Sequence, residues 1–188
     1  LPLALVGARF RFPGKTLLSG LLLLPLVLPP FVGAIGVRHL LGRAGALNAL
    51  LGVDTDWLAG GGMWAIAAME AISLYPILYL NIMASLANLD PALEEAAQSL
   101  GAGPWTRLRR VTLPLVRPGV FAGATIVFIW SFTELGTPLM FEYYDVTSVQ
   151  IFNGIKEVEA SRRPYALVVV MLLVSVGFYL LGKFTLGR

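Results

Sequence analysis

The chain has 188 residues, 57% of them hydrophobic and only 13% charged, with a mean hydropathy of +0.77. Soluble domains carry about 25% charged residues, so an ordinary water-soluble enzyme is excluded, and so is disorder, which needs low hydrophobicity and high net charge. The net charge of +3 comes from basic residues scattered through short gaps between apolar stretches, which is not the footprint of a nucleic-acid binder, and the lack of cysteine removes disulfides and thiolate metal sites.

A membrane-crossing helix needs about 20 mostly apolar residues, because each adds about 1.5 Å across a hydrocarbon core of about 30 Å. The chain opens on an apolar segment, Leu1 to Ala8, that stops at the basic residues Arg9 and Arg11. It lacks the basic start of a signal peptide and reads as the tail of a membrane helix, so the chain is expected to be an N-terminally truncated fragment. Complete spans are expected at about 17–41, 60–87, 118–140 and 164–186. The first contains Pro25, Pro29, Pro30, Gly33 and Gly36, which membrane helices tolerate where neighbours satisfy the freed backbone. Glu70 is the one charge inside the second span and Glu134 the one inside the third; Pro164 to Gly182 has none. No alternating segments of about 10 residues suggest a barrel. The fold class is all-α, a polytopic transmembrane helical bundle with one membrane domain over 1–188.

Basic residues give the orientation, because cytoplasmic loops are enriched in Lys and Arg. One side collects nine: Arg9, Arg11, Lys15, Arg107, Arg109, Arg110, Arg117, Lys183 and Arg188. The other holds five, Arg38, Arg43, Lys156, Arg162 and Arg163, with the acidic Asp54, Asp56, Glu142, Asp145, Glu157 and Glu159. The first side is expected to be cytoplasmic, with both chain ends on it.

Residues 88–117 form the cytoplasmic loop between the second and third spans. Asp90 is suited to cap a helix that Pro91 begins, and Glu94 and Glu95 fall where the helix dipole favours negative charge. Leu93, Ala96, Ala97 and Leu100 make an apolar stripe at helical spacing. Gly101 and Gly103 are candidates for the left-handed conformation that ends a helix, and Pro104 can start another. In that second helix Trp105, Leu108 and Thr112 are expected to share a face.

This loop resembles the EAA loop of ATP-binding-cassette importer permeases. Glu95-Ala96-Ala97 is followed after three residues by Gly101, then after nine by Val111, and then by Leu113-Pro114. Only Val111 departs from the pattern, which has isoleucine there. The resemblance covers the whole chain and implies an importer-permease (MetI-like) core in a bacterial or archaeal inner membrane. The stretch Thr133-Glu134-Leu135-Gly136-Thr137-Pro138 resembles an element near the translocation route in permeases of the branch that serves iron(III), polyamines and thiamine. The loop resemblance further implies that Glu94, Glu95, Ala96, Ala97, Leu100, Gly101, Val111, Leu113 and Pro114 couple the chain to a cytoplasmic ATPase. A second permease copy or fused half and an external substrate-binding protein are also implied. The chain lacks the Gly-x-x-x-x-Gly-Lys-Ser/Thr phosphate loop, so ATP and Mg are expected on the partner ATPase and no cofactor on this chain.

A carboxylate at the bilayer centre costs about 2.5–3.5 kcal/mol on insertion scales, so Glu70 and Glu134 are expected to face protein or a water-filled path. Gly136 and Pro138 should loosen the helix beside Glu134, which makes Glu70, Glu134 and Gly136 candidates for the translocation path. Asp54 and Asp56 read as a solvated outer loop, and Trp57, Trp105, Tyr143, Tyr144 and Tyr165 as interfacial aromatics. The rival readings are a membrane-embedded enzyme and a channel. One histidine, His39, and two scattered carboxylates supply no convergent catalytic set, and no charged ring suggests a filter.

Overall fold

The computed structural model describes residues 2–10, 12–58, 62–156 and 162–186. Arg11, Glu157, Glu159 and Arg188, used above for orientation, lie outside the described residues, as does residue 60, where the second span was expected to begin. Every regular element among the described residues is a helix. The order is α1 (Pro2–Arg9), α2 (Lys15–Val27), α3 (Pro30–Leu41), α4 (Ala46–Leu51), α5 (Gly62–Ala87) and α6 (Pro91–Ser99). Then come α7 (Pro104–Arg107), a π-helical turn over Leu108–Thr112, α8 (Leu113–Thr133), α9 (Gly136–Met140), α10 (Thr147–Lys156) and α11 (Arg163–Leu186).

Among the described residues, three helical stretches are long and apolar enough to cross a membrane, Gly62–Ala87, Pro104–Thr133 and Arg163–Phe184, and a fourth span arises if the bent pair Lys15–Val27 and Pro30–Leu51 crosses as one. The expected first span is different. It is broken between Val27 and Pro30, and the axes on either side differ by 93°. Pro25, Pro76 and Pro118 are each accommodated inside a helix. The pair Pro29–Pro30 is not, because a proline drives the residue before it out of the α region. Pro29 is extended at φ −56°, ψ 143°, and Pro30 starts α3 with its fixed φ.

The expected third span, 118–140, is also redrawn. Its helix starts at Pro104, well before Pro118, and stops at Thr133; residues 136–140 form the separate α9. The start is early because the chain winds through Pro114. That residue has no N–H to give, and the turn before it widens so that the Leu113 N–H reaches Leu108. Helices α4 and α10 lie in segments expected to be outer loops.

Contacts divide the chain into two compact units. One comprises Leu1–Leu22, Pro76–Val127 and Phe178–Arg188. In it α8 presses on α5 through Gly119 and Gly123: a Cβ at Gly119 would stand 2.7 Å from the Asn81 carbonyl oxygen, and one at Gly123 would stand 3.0 Å from the Leu78 Cα. Such small-residue contacts replace the hydrophobic drive that lipid removes between membrane helices. Val116, Thr112, Tyr79 and Ile82 are buried in this unit, and Phe121 of α8 meets Tyr179 of α11 with ring centroids 6.3 Å apart.

The other unit comprises Leu23–Tyr75 and Phe128–Gly177. Its buried residues include Ala34, Ile66, Met69, Thr137 and Val149. Arg38 at the end of α3 donates to the Met140 carbonyl oxygen (2.8 Å) and pairs with Glu142, which holds a left-handed backbone, φ 54°, just past α9. Buried Asn48 pins the segment after α3. Its amide donates to the carbonyls of Arg43 (2.8 Å) and Thr55 (2.6 Å) and accepts from the Trp57 indole (2.7 Å).

Candidate functional site

Helix α6 is built from local chemistry. The Asp90 carboxylate accepts from the Ala92 N–H at 2.9 Å, and Pro91 takes the first helical position, where no N–H is needed. At the far end Gly101 has φ +81°. Its N–H reaches the Gln98 carbonyl (2.9 Å), while the Ala102 N–H reaches that of Ala97 (3.0 Å). These two bonds satisfy carbonyls that the helix end leaves free, and they need a left-handed residue between them. Gly103 departs from expectation. It is extended, φ −66° and ψ 165°, and serves as the residue before Pro104 that starts α7. Arg107 then donates to the Gln98 side chain at 2.8 Å, closing the corner.

The motif residues divide between two positions. Glu95, Ala96, Leu100 and Gly101 are exposed and Ala97 half-buried, whereas Val111, Leu113 and Pro114 sit half-buried in the wide turn and the foot of α8. Leu93 is 49% and Leu100 89% exposed, so the apolar stripe of α6 lies open. Glu94 is turned inward, where its carboxylate accepts from the buried Thr112 hydroxyl at 2.6 Å and pairs with Arg9. Trp105 and Thr112 do not share a face: Trp105 is 71% exposed and Thr112 1%. The wide turn sets later side chains back in phase, so ordinary helical spacing misplaces them.

Glu70 and Glu134 both belong to the second unit. Glu70 is buried beside the buried Thr137 hydroxyl, and among the described residues no donor meets ordinary hydrogen-bond geometry at either of its oxygens. Glu134 is partnered. Its carboxylate accepts from the N–H groups of Gly136 (3.0 Å) and Thr137 (3.2 Å) and so caps α9, while its carbonyl accepts from the Ser148 hydroxyl (2.6 Å). The break falls at Glu134–Leu135, just ahead of Gly136, which opens α9 against Phe31. The same unit holds a cleft of about 1100 Å³ lined by Arg38, His39, Arg43, Trp64, Glu142 and Tyr143. Arg38 is paired there with Glu142, and Arg43 with Asp54.

Residues 1–185 match the family described as binding-protein-dependent transport system inner membrane component. The chain belongs to this family. The permease is 39% identical over 148 residues to the molybdenum transport system permease protein ModB of Haemophilus influenzae, covering 75% of this chain and 63% of that one. It is 34% identical over 176 residues to a probable molybdenum ABC transporter permease of Haloferax volcanii, covering 93% and 64%. A ferric transport system permease protein, FbpB of Actinobacillus pleuropneumoniae, is 31% identical over 186 residues, 93% of this chain and 26% of that one. The chain thus spans just under two thirds of the length of the molybdenum permeases. A bacterial ABC transporter that imports the acidic polysaccharide alginate shares the fold, with a TM-score of 0.75 at 21% identity, over 100% of this chain and 71% of that one. The permease is a multi-pass membrane protein of the ABC importer class, and its relatives in the iron and molybdenum branch agree with the iron(III) side of the sequence resemblance.

Proposed function

We propose that this permease forms part of the translocation path of an importer and that α6 is the surface on which a cytoplasmic ATPase docks. The supporting observation is the state of α6: a rod capped at both ends, held from behind by Thr112 and Arg9, with Leu93 and Leu100 uncovered. Uncovered leucines on a short helix rimmed by charge suit insertion into a groove of a partner protein. Glu95 and Gly101 belong to the same exposed surface. Val111, Leu113 and Pro114 act from behind it, as the foot that joins the docked helix to α8.

In this reading α6 and both chain ends are cytoplasmic, ATP and Mg stay on the ATPase, and a second permease copy or fused half completes the path. An external binding protein delivers the substrate; the alginate transporter was solved in complex with its substrate-bound periplasmic protein. Glu70, Glu134 and Gly136 lie toward the path, with Glu134 acting through α9, whose start it fixes. The substrate is a small inorganic ion, and molybdenum is favoured over iron because the molybdenum permeases share more identity.

The test is uptake into liposomes by the full-length permease assembled with its ATPase and binding protein. Radiolabelled molybdate should accumulate only with ATP inside and binding protein outside. Accumulation of ferric iron in its place would overturn the substrate, and uptake without ATP would overturn the mechanism.

A further inference from the structure

The Arg9 guanidinium, in the last turn of α1, meets two groups from other elements: the Glu94 carboxylate of α6 and, at 2.9 Å, the Thr112 hydroxyl below α8. Thr112 in turn donates to Glu94 at 2.6 Å. Each of the three side chains therefore touches the other two, although Arg9 is 85 residues from Glu94 and 103 from Thr112. The Thr112 hydroxyl, 1% exposed as a residue, gives its one proton to Glu94 and accepts from Arg9. Glu95, the motif carboxylate beside Glu94, stays exposed and outside this set.

We infer that Arg9 is a positioning residue that locks α6 to the foot of α8 and passes movement of α6 on to α1; the inference rests on α6 being the ATPase-docking helix. The shared donor supports it. Both bonds leave one terminal nitrogen of the Arg9 guanidinium and reach different elements, so α6 cannot turn about its axis without breaking its bond to Arg9 or drawing α1 along. The Arg107–Gln98 bond does not substitute, because both of its ends lie within residues 91–107 and it fixes only the corner. Arg9 and Glu94 are partly exposed, at 38% and 25% of their side chains, and exposed pairs add little stability. Loss of Arg9 should therefore show in coupling more than in folding.

The experiment uses full-length permease with its ATPase and binding protein in liposomes, and measures substrate moved per ATP hydrolysed. Arg9→Gln should lower that ratio about fivefold or more, the range of ordinary coupling between sites. Bound ATPase and thermal unfolding should stay as in the unsubstituted complex, because the exposed stripe of α6 is unaltered. The charge exchange Arg9→Glu with Glu94→Arg should recover much of the ratio, whereas Arg9→Glu alone should not. An unchanged ratio in Arg9→Gln, a failed recovery in an assembled complex, or loss of the ATPase from the variant would each overturn the inference. If the unsubstituted permease binds no ATPase, the docking reading itself fails before any variant is compared.

Discussion

Gly119→Ala is expected to destabilise the permease severely for a change of one methyl group. The new Cβ would stand 1.8 Å from the Ser85 hydroxyl and 2.7 Å from the Asn81 carbonyl oxygen. The serine has other rotamers, but the carbonyl is backbone of α5, and only a separation of α5 from α8 relieves it. Overpacking of this kind costs about 1–3 kcal/mol, and each kcal/mol moves the unfolding midpoint by about 2–4 °C in a chain of this size. In detergent, Gly119→Ala should therefore unfold several degrees lower and give less folded protein. Gly177→Ala in α11 is the control, since a Cβ there meets nothing within 4 Å and alanine favours helix over glycine. Equal midpoints for the two variants would show that α5 and α8 do not meet through Gly119.

Gly101→Val is expected to abolish coupling with little loss of folded protein. A Cβ at Gly101 would meet nothing within 4 Å, so the effect comes from the backbone alone. At φ +81° a residue with a Cβ pays about 1–2 kcal/mol, and β-branching makes the region still less accessible. The chain can escape only by leaving the left-handed region, which breaks the bonds to Gln98 and Ala97 and swings α6 away from α7. Transport should fall at least tenfold while membrane insertion is kept. Gly103→Ala should be mild in comparison, because Gly103 is extended, a conformation open to any residue. Wild-type transport by Gly101→Val would reduce the corner to a linker.

These two glycines show what the sequence could and could not convey. The corner at Gly101 was legible because its determinants are local: an aspartate before a proline at one end of α6 and a glycine at the other. The Gly119 contact was not, since nothing near it in sequence names Ser85 or Asn81 as its neighbours. The same holds for Arg9, whose partners lie 85 and 103 residues away. The long helices Gly62–Ala87 and Arg163–Leu186 coincide with long apolar stretches that are plain in the sequence. Where prolines decide the path, hydropathy was insufficient. It is equally apolar across Pro25, which is accommodated, and Pro29–Pro30, where one proline forces the other out of helix. Glu134 was read for its charge; its geometric role as the cap of α9 required knowing that the helix stops at Thr133.

In the proposed function the open face of α6 lies in the cytoplasm against an ATPase. Leu100 is its most direct reporter: it is 89% exposed, it sits in the motif, and this chain has no cysteine to compete with an introduced one. In inside-out vesicles carrying the full-length transporter, Leu100→Cys should cross-link to the ATPase subunit through a short thiol-reactive linker, and added free ATPase should compete. Labelling of Leu100→Cys by a membrane-impermeant thiol reagent applied outside intact cells would contradict both the orientation and the docking role.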